Sequence, residues 1–429
     1  MQWRYSLSVY CLVPLLFLYF FWRSLREPGY RQGWDERLGY GASLPESLWL
    51  HAASVGEVQA AAPLIRALRE KYPALPVLVT TFTPAGADQL SRLFGGEIMQ
   101  RFLPVDTPGA VARFLEATRP RLGIIVETEL WPNLLRGCAA RAIPVLLASA
   151  RLSAQSVTNL RRFPGEPILS QALAALRFVG AQSAADAARY RELGVRPEQV
   201  EVTGNIKFDL QIPARLKAEG QALRATWHAL ERPLWIAAST HEGEEEQVLR
   251  VFAELRANIP TLLLVLVPRH PQRFGRVHDL CRRESFSTAR RSMQDKVEDD
   301  TDIVLGDTLG ELQVLYGAAD VAFVGGSLVP IGGHNLLEPA ALDLPIVVGP
   351  HTDAQREMTE LLKAEGALTQ VQDGKGLCKA VNELLTSPTL RENHAQAGQA
   401  VLARNRGALE RTLQRIEAVL PPGSTRASS

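Results

Sequence analysis

The sequence predicts an α/β protein with two doubly wound parallel-sheet domains behind an apolar N-terminal helix. Short apolar runs alternate with helix-length segments, and the alternation pauses near residue 209 and resumes near residue 234. An apolar run without polar interruption is typical of a strand that is buried on both faces, as strands in parallel sheets are. The length agrees, because 429 residues with 46% hydrophobic content can form two cores of ordinary domain size.

The first 25 residues predict a membrane anchor. Residues 5–22 carry no charge, and at ~1.5 Å per residue a helix of this length crosses most of a hydrocarbon core. The positive-inside rule places the rest of the chain in the cytoplasm, because more arginines follow the segment than precede it. The alternatives are a signal peptide and an interfacial helix, and Pro14 within the apolar segment is the main argument for them. The flanking arginines are Arg4 on one side and Arg23, Arg26, Arg31 and Arg37 on the other.

Apolar runs predict the strands of both sheets. In the first domain they are 48–53, 77–81, 122–126, 144–147 and 178–181, and in the second 234–238, 262–267, 302–305, 321–324 and 346–348. Ligands of such sheets bind beyond the carboxyl ends of the strands, so the residues after each run are the candidates. The predicted limits are 1–25 for the anchor, 26–47 for a linker, 48–208 for the first domain, 209–226 for a hinge, 227–420 for the second domain and 421–429 for a disordered tail.

Charge and cysteine content exclude some classes of protein. The 47 Lys and Arg residues nearly balance the 46 Asp and Glu residues, so no basic excess indicates a nucleic-acid partner. The cysteines show neither close pairing nor the spacing of metal ligands, which predicts a reducing compartment without disulfides. They are Cys11, Cys138, Cys281 and Cys378.

Carboxylates follow two predicted strands of the first domain. Ser54, Gly56 and Glu57 follow the first run, and Glu127 and Glu129 follow the third. Glu57 enters a helix, where a carboxylate can simply complement the helix dipole, so a structural role stays open. Three acids on one rim repel one another, which would raise at least one pKa toward neutrality, as a general base requires. Which of Glu127 and Glu129 faces a ligand is open, because alternate side chains of a strand point to opposite faces.

The second domain carries glycine, hydroxyl and basic groups after its strands. Paired glycines after the run 321–324 let a ligand approach the backbone, and Asn335 begins a helix whose free N–H groups suit phosphate. An ordinary strand-to-helix connection with a capping box of Asn335 and Glu338 is the alternative. The candidate donor-site residues are Lys207, Ser239, Thr240, Arg269, His270, Gly325, Gly326, Ser327, Gly332, Gly333, His334, Asn335 and Glu338.

The sequence predicts a site without a metal ion or a cofactor. Asp300 and Asp302 resemble the acidic pair by which some sugar transferases hold a divalent cation. They precede a strand, however, which places them on the opposite sheet edge, and a solvated turn is expected there. His and Cys residues nowhere show metal-type spacing.

Several long motifs together resemble the 3-deoxy-D-manno-octulosonic acid (Kdo) transferases, from the apolar anchor to about residue 415. The resemblance implies a GT-B glycosyltransferase with two Rossmann-like domains facing across a cleft. It implies transfer of Kdo from CMP-Kdo to a lipid A precursor (lipid IVA), at the cytoplasmic face of the inner membrane, in lipopolysaccharide synthesis. We expect a single inverting displacement that releases CMP. The motifs are 51–57, 126–133, 150–153, 239–244, 267–274, 306–312 and 325–335.

The resemblance also implies residue roles. Glu57 falls on the proposed catalytic base, and Glu127 and Glu129 fall on a second acidic motif. Ser149 and the segment after Thr352 depart from the family pattern, which puts the neighbouring loop contacts in doubt. Residues that fall where such enzymes hold the nucleotide are Arg269, Gly332, Gly333, Asn335 and Glu338, the last at the ribose hydroxyls.

Acceptor binding is assigned to Ser54, Gly56, Arg151, Arg161 and Arg162. The three arginines are candidates for the phosphates of the acceptor, although solvated or headgroup-facing arginines fit the sequence equally well. Two other functions stay open. One is a GT-B enzyme that uses or epimerises a different nucleotide sugar, and the other is a membrane-tethered nucleotide-binding protein without activity.

Overall fold

A computed structural model describes residues 2–162, 166–210 and 212–421. Contacts divide the chain into two compact units, one of Met1–Asp209 with Asn405–Ser429 and one of Leu210–Arg404. Each unit is an α/β fold around one seven-stranded parallel sheet, which confirms the predicted fold class. The predicted disordered tail lies, apart from Pro421, outside the described residues.

The first unit has a sheet in the order β3-β2-β1-β4-β5-β6-β7. Its strands are β1 (Ser47–His51), β2 (Val77–Thr81), β3 (Met99–Phe102), β4 (Pro120–Val126), β5 (Val145–Ala150), β6 (Phe178–Ala181) and β7 (Val200–Val202). Its helices are α1 (Gln2–Ser24), α2 (Trp34–Arg37), α3 (Val55–Lys71), α4 (Pro84–Phe94), α5 (Pro108–Thr118), α6 (Pro132–Ala140), α7 (Ala154–Arg162), α8 (Glu166–Ala174) and α9 (Ala184–Glu192).

Both faces of this sheet are covered by helices. Leu48 and Leu50 of β1 pack into the core on one face, whereas Trp49 between them packs into the core on the other. Trp49 is fully buried, and its indole N–H donates to the hydroxyl of Thr80 at 2.8 Å. Two cores on opposite faces require apolar side chains at every position of a central strand, which explains the uninterrupted apolar runs.

The second unit repeats the architecture with the strand order β10-β11-β9-β8-β12-β13-β14. Its strands are β8 (Leu234–Thr240), β9 (Leu263–Pro268), β10 (Thr288–Arg290), β11 (Ile303–Leu305), β12 (Val321–Val324), β13 (Ile346–Val348) and β14 (Leu368–Gln370). Its helices are α10 (Ala214–Thr226), α11 (Glu245–Asn258), α12 (Phe274–Arg283), α13 (Leu312–Ala318), α14 (Leu337–Ala341), α15 (Arg356–Ala364), α16 (Gly374–Thr386) and α17 (Pro388–Asn405).

The last helix, α18 (Ala408–Val419), packs on the first unit although it follows the second in sequence. Its Leu413 and Ile416 join the core beside β1. The carboxylate of Asp209 accepts the N–H groups of Gly407 and Leu409, both at 2.6 Å. The sequence-based limit at residue 420 therefore differs from the contacts, which assign the chain from Asn405 onward to the first unit.

Among the described residues, helix α1 alone is long and apolar enough to cross a membrane, with a candidate span of Tyr5–Ser24 and a mean hydropathy of 1.7. Only its length and composition support this role, and signal sequences and buried core helices share them. The finding agrees with the predicted anchor but does not give its orientation.

The segment predicted as a hinge forms helix α10 of the second unit for most of its length. Gly220 faces α13 so closely that an added Cβ would lie 2.7 Å from the backbone N of Ala318 and 2.7 Å from Cα of Gly317. Next to this crossing, the guanidinium of Arg224 donates to both carboxylate oxygens of Asp320, at 2.8 and 2.9 Å. The helix is therefore fixed to the domain by close backbone packing and a largely buried ion pair.

Gly220→Ala is expected to destabilise the second unit by about 1–3 kcal/mol, because the new methyl group overlaps backbone that cannot rotate away. Gly275→Ala in α12 is the matched control, since nothing lies within 4 Å of its added Cβ. That control should be neutral or stabilising by up to about 1 kcal/mol, as alanine favours a helix. Urea unfolding followed by tryptophan fluorescence measures both variants, and equal midpoints would show that the crossing is not tight.

Candidate active site

Glu57 lies in the first turn of α3, directly after β1. Its carboxylate accepts the N–H of Ala53 at 2.7 Å and the hydroxyl of Ser54 at 3.0 Å. Ser54 in turn accepts the backbone N–H of Glu57 at 3.4 Å, so the pair forms a helix cap. The cap holds the carboxylate in one orientation and leaves the side chain half-buried.

Glu127 and Glu129 follow β4, the neighbour of β1 in the sheet. Glu127 has a φ of 62°, and its carboxylate accepts a hydrogen bond from Nζ of Lys207 at 2.6 Å. Glu129 accepts the indole N–H of Trp131 at 2.9 Å, and its carboxylate lies 3.9 Å from Nε2 of the buried His51. Each of these two acids therefore has a cationic or N–H partner.

The environments of the acids shift their pKa values in opposite directions. Burial raises the pKa of Glu57, and the negative charges of Glu127 and Glu129 raise it further. The hydrogen bonds from Ala53 and Ser54 lower this pKa, but they do not offset the increase. Burial also opposes ionisation of Glu129, but His51 and Trp131 outweigh it and lower that pKa. Glu57 is therefore the acid in this group that takes up a proton more readily than an ordinary carboxylate.

The structure brings together some, not all, of the residues predicted for the first domain. Ser54, Gly56 and the three acids lie at the carboxyl edge of one sheet, and Lys207 joins them from the same unit. The backbone carbonyl of Arg151 accepts the hydroxyl of Thr128 in the acidic loop at 2.7 Å. Arg161 at the end of α7 instead pairs with Glu192 at 2.8 Å, and Arg162 beside it is exposed.

In the second unit, a fully buried carboxylate holds the glycine loop that follows β12. Glu244 accepts the backbone N–H groups of Gly326 at 2.7 Å, Ser327 at 3.0 Å and Leu328 at 2.8 Å. A fourth N–H comes from His241 at 2.9 Å. The N–H groups of the loop therefore surround the carboxylate of Glu244. The sequence analysis did not name Glu244 as a site residue, although it is the last residue of the motif 239–244.

Three of the predicted glycines adopt a left-handed backbone where the loop turns, and Gly326 is the first, with a φ of 68°. Gly332 has a φ of 108° and Gly333 a φ of 82°, and both N–H groups donate to the carbonyl of Gly326, at 3.0 and 2.8 Å. Gly325 lies against β8, where an added Cβ would be 2.7 Å from the carbonyl oxygen of Ser239. Side chains larger than hydrogen would strain or displace this loop at each of these positions.

Three histidines and two arginines surround the loop. The Nε2 atoms of His241 and His334 are 2.8 Å apart, and His270 packs edge-on against His241 with ring centroids 5.1 Å apart. Burial lowers the pKa of His241 and of His334 to about 4, and neighbouring positive charges add to the effect. Arg269 and Arg273 contribute to this field. Arg273 is bound to the carboxylate of Glu245 at 2.7 and 3.1 Å, so Arg269 is the basic group of this cluster that is left for an anion at neutral pH.

The helix predicted to begin at Asn335 begins two residues later and is short. α14 begins at Leu337 and spans five residues. Asn335 accepts the N–H of Leu337 at 3.0 Å and donates to the carboxylate of Glu338 at 3.0 Å. The capping alternative therefore describes the local contacts, and so short a helix supplies little dipole to a phosphate.

Three predicted hydroxyl groups point into the domain. Thr240 is fully buried and donates to the carboxylate of Glu245 at 3.0 Å. Ser327 is fully buried as well and donates to the carbonyl of Val324 at 2.6 Å. Ser239 is largely buried with a φ of 56° at a break in the pairing of β8. The hydroxyl groups of Thr240 and Ser327 therefore serve contacts within the domain.

Asp302 corrects the prediction of a solvated acidic turn. It is largely buried before β11, pairs with Arg256 and accepts the N–H of Ser287 at 2.9 Å. Within residues 2–162, 166–210 and 212–421, no three His, Cys, Asp or Glu side chains are arranged to hold a metal ion. Asp302 therefore acts as a structural ion pair on the far edge of the sheet.

Solved structures with low sequence identity share the fold. UDP-GlcNAc 2-epimerase from Neisseria meningitidis is 16% identical with a TM-score of 0.56, over 87% of this chain and 100% of that chain. A glycosyltransferase from Rickettsia africae is 12% identical with a TM-score of 0.53, over 88% of this chain and 100% of that one. Together with the two parallel-sheet units, they confirm the predicted GT-B fold class.

Relatives of higher identity indicate the family. A profile described as 3-deoxy-D-manno-octulosonic-acid transferase (kdotransferase) matches residues 32–210. The chain is 38% identical to 3-deoxy-D-manno-octulosonic acid transferase of Bordetella pertussis, over 96% of this chain and 98% of that protein. It is 41% identical to the protein of the same name from Haemophilus influenzae, over 98% of this chain and 99% of that protein. The chain therefore belongs to the 3-deoxy-D-manno-octulosonic acid transferase family of glycosyltransferases.

Proposed function

We propose that the chain transfers Kdo from CMP-Kdo to a lipid A precursor (lipid IVA) in lipopolysaccharide synthesis. The reaction is a single inverting displacement that needs no metal ion, and it takes place at the cytoplasmic face of the inner membrane. Membership of the family supports Kdo as the sugar that is transferred. The observation that carries the mechanism is Glu57, an oriented, half-buried carboxylate whose pKa is raised.

The contacts of the three acids support Glu57 as the general base. The charge of Glu127 is offset by Lys207, and that of Glu129 is stabilised by Trp131. Glu57 removes the proton of the acceptor hydroxyl while that oxygen bonds to the anomeric carbon of Kdo. The bond from this carbon to the phosphate oxygen breaks at the same time, and CMP leaves with the electron pair.

The second unit supplies the groups for the leaving nucleotide. Charge grows on the phosphate of CMP as the bond breaks, and fixed donors and cations stabilise it. Arg269 is exposed beside the histidine cluster, and its field reaches Glu338, the residue proposed for the ribose hydroxyls. The backbone of Gly332 and Gly333 gives a ligand close access without side chains. Arg269 and the accessible backbone of this loop can meet this charge without a metal ion.

Two other functions are weighed against this proposal. The likeness to an epimerase concerns the fold alone, so an enzyme acting on another nucleotide sugar is the first alternative. A nucleotide-binding protein without activity is the second, and the ordered, individually partnered acids at positions 57, 127 and 129 disfavour it. Mass analysis of products from purified protein, CMP-Kdo and lipid IVA separates all three, because only the proposed function joins Kdo to the lipid.

Glu57→Gln is expected to lower the rate of transfer by ~10²–10⁴-fold, the usual contribution of a general base. CMP-Kdo affinity should change little, because the proposed donor groups lie in the other unit. Glu70→Gln, an exposed acid of the same helix, is the matched control and should keep full activity. Single-turnover rates and calorimetric CMP binding measure both properties, and near-normal transfer by the Glu57 variant refutes the base assignment.

The rate of transfer is expected to fall as the pH drops through the pKa of Glu57, because the base acts only when deprotonated. That pKa lies above the ordinary 4.5, so the acid limb of kcat/KM should lie above this value. Glu127→Gln removes a neighbouring negative charge and frees Lys207, and both changes lower the pKa of Glu57. The acid limb should therefore move to lower pH in this variant, whatever its maximal rate. An acid limb that stays in place or moves to higher pH contradicts the proposed effect of Glu127 on the pKa of Glu57.

Glu244→Gln is expected to weaken CMP-Kdo binding about tenfold or more. The amide keeps one acceptor oxygen but turns an NH₂ group toward buried N–H donors, which leaves them unsatisfied at ~1–3 kcal/mol each. The single-turnover rate at saturating donor should fall less than the affinity, because the base lies in the first unit. Glu246→Gln, exposed on α11, is the control. Unchanged donor affinity, with intact folding by circular dichroism, refutes a role of the Glu244 loop in donor binding.

A further inference from the structure

Helix α1 contacts the first unit through one face between Tyr5 and Ser24. The side chains that are shielded from solvent recur every three or four residues, which is the spacing of one helix face. Ser6, Phe17 and Arg23 beside them are partly shielded, and the other side chains from Leu7 to Trp22 are exposed. The shielded positions are Tyr5, Val9, Val13, Leu16, Phe20 and Ser24.

The N-terminal half of α1 is joined to the domain by polar contacts. The hydroxyl of Tyr5 donates to the carboxylate of Asp106 at 2.8 Å, and that of Ser6 donates to the side-chain oxygen of Asn133 at 3.1 Å. The same carboxylate accepts the N–H groups of Asn133 and Leu134, at 3.0 and 2.8 Å. The buried carboxylate of Asp106 therefore caps the start of α6 and also binds Tyr5 of α1.

The C-terminal half of α1 is joined by aromatic packing. Phe20 is 1% exposed and packs against Phe82, with ring centroids 6.2 Å apart. The guanidinium of the fully buried Arg37 lies 4.6 Å from the ring of Phe20 and 5.3 Å from that of Phe82. Phe17 packs edge-on against Trp34 with centroids 5.0 Å apart. Both halves are thus bound to the same unit.

The opposite face of α1 is apolar and exposed. The large side chains of this face are between 45% and 62% exposed, and they form a continuous strip. A protein in water seldom leaves so long an apolar surface uncovered, so this strip marks an interaction surface. Its outermost members include Leu7, Leu12, Leu15, Leu18, Phe21 and Trp22.

A spanning orientation conflicts with the contacts on the shielded face. A helix of 23 residues is ~34 Å long, about the ~30 Å thickness of a hydrocarbon core. If α1 crossed that core while it kept its contacts, the domain surface around Asp106 and Asn133 would enter the core as well, with the charged side chains of Arg136 and Arg141. Moving charged groups into hydrocarbon costs several kcal/mol each. The contacts therefore fit a helix that lies parallel to the membrane surface.

Arginines at both ends of α1 match an anionic lipid surface. Arg23 and Arg26 lie at its C-terminal end. At its N-terminal end, an open groove of about 490 Å³ is lined by Ser6, Arg136 and Arg141 among other residues. Headgroup phosphates on one side of a membrane can reach both groups only if the two ends of the helix lie on that side.

We propose that α1 lies in the plane of the membrane, with its exposed strip in the acyl chains of an anionic phospholipid bilayer and its shielded face on the first unit. This orientation replaces the spanning helix expected from the sequence. It does not depend on the transfer reaction, because it rests on the contacts of α1 alone.

The position of the N-terminus relative to the membrane tests the proposal. A protease site is fused before Met1 of the full chain, and a second site after Ser429 serves as the control. In sealed inside-out membrane vesicles, both sites should be cut without detergent, because both termini lie on the side of the catalytic units. Cutting of the N-terminal site only after detergent treatment means that α1 spans the membrane and overturns the proposal.

Depth measurements give an independent readout. Cys11 lies on the exposed strip, so a fluorophore is attached there in a variant that lacks the other cysteines, and for comparison at Leu25→Cys in a background that also lacks Cys11. Vesicles of phosphatidylethanolamine and phosphatidylglycerol carry quenchers at known depths. Equal, shallow depths at the two positions are expected. A spanning helix would place Cys11 ~10 Å or more deeper in the bilayer than position 25, because each residue adds ~1.5 Å of rise. A difference of that size overturns the proposal.

Two further outcomes also overturn the proposal. One is failure of the protein to bind these vesicles. The other is a disulfide between Cys11 residues of two copies together with an absence of lipid quenching, which means that a second copy covers the strip.

Discussion

Every strand in both sheets runs parallel to its neighbours, and the site depends on this constraint. Parallel strands bring all their carboxyl ends to one edge, so loops far apart in sequence become neighbours. In the first unit, His51 pairs with Ile125, which places the start of α3 next to the acidic loop after β4. In the second, Ala238 pairs with Val324, which places the motif 239–244 next to the glycine loop. Neither group of residues would meet in an antiparallel arrangement with hairpin connections.

Within these loops, the completeness of charge compensation separates structural acids from the chemical one. Glu244 has four N–H donors, and Glu245 has both terminal nitrogens of Arg273, so these carboxylates are fixed in the interior. Glu57 has one N–H and one hydroxyl and faces two further acids, so fewer groups stabilise its charged form. An acid that is oriented but incompletely compensated can exchange a proton at modest cost, which is what a general base must do.

The sequence predicted the parts of the fold that burial on both faces imposes. All the predicted strands are present, because central strands must be apolar at every position. The strands it missed, β3, β7, β10 and β14, are the outermost strands of the two sheets, where one edge meets solvent and polar residues such as Gln100 and Glu201 are tolerated. The return of α18 to the first unit left no local signal, since it depends on tertiary contacts of Asp209. Long-range pairing also explains the error at Asp302, because nothing in the nearby sequence indicates Arg256 as its ion-pair partner.

The contacts of α1 connect the membrane-facing strip to the acids through few side chains. Phe20 packs on Phe82, and Phe82 stacks on Trp131 with ring centroids 5.8 Å apart. Trp131 then donates its indole N–H to Glu129. Close-packed aromatic rings transmit displacement because they leave no space to absorb it. A shift of α1 away from the domain would therefore change the packing of Trp131 and with it a hydrogen bond that, after His51, helps to lower the pKa of Glu129. Since the charge of Glu129 contributes to the raised pKa of Glu57, the seating of the helix and the basicity of the proposed base are physically linked.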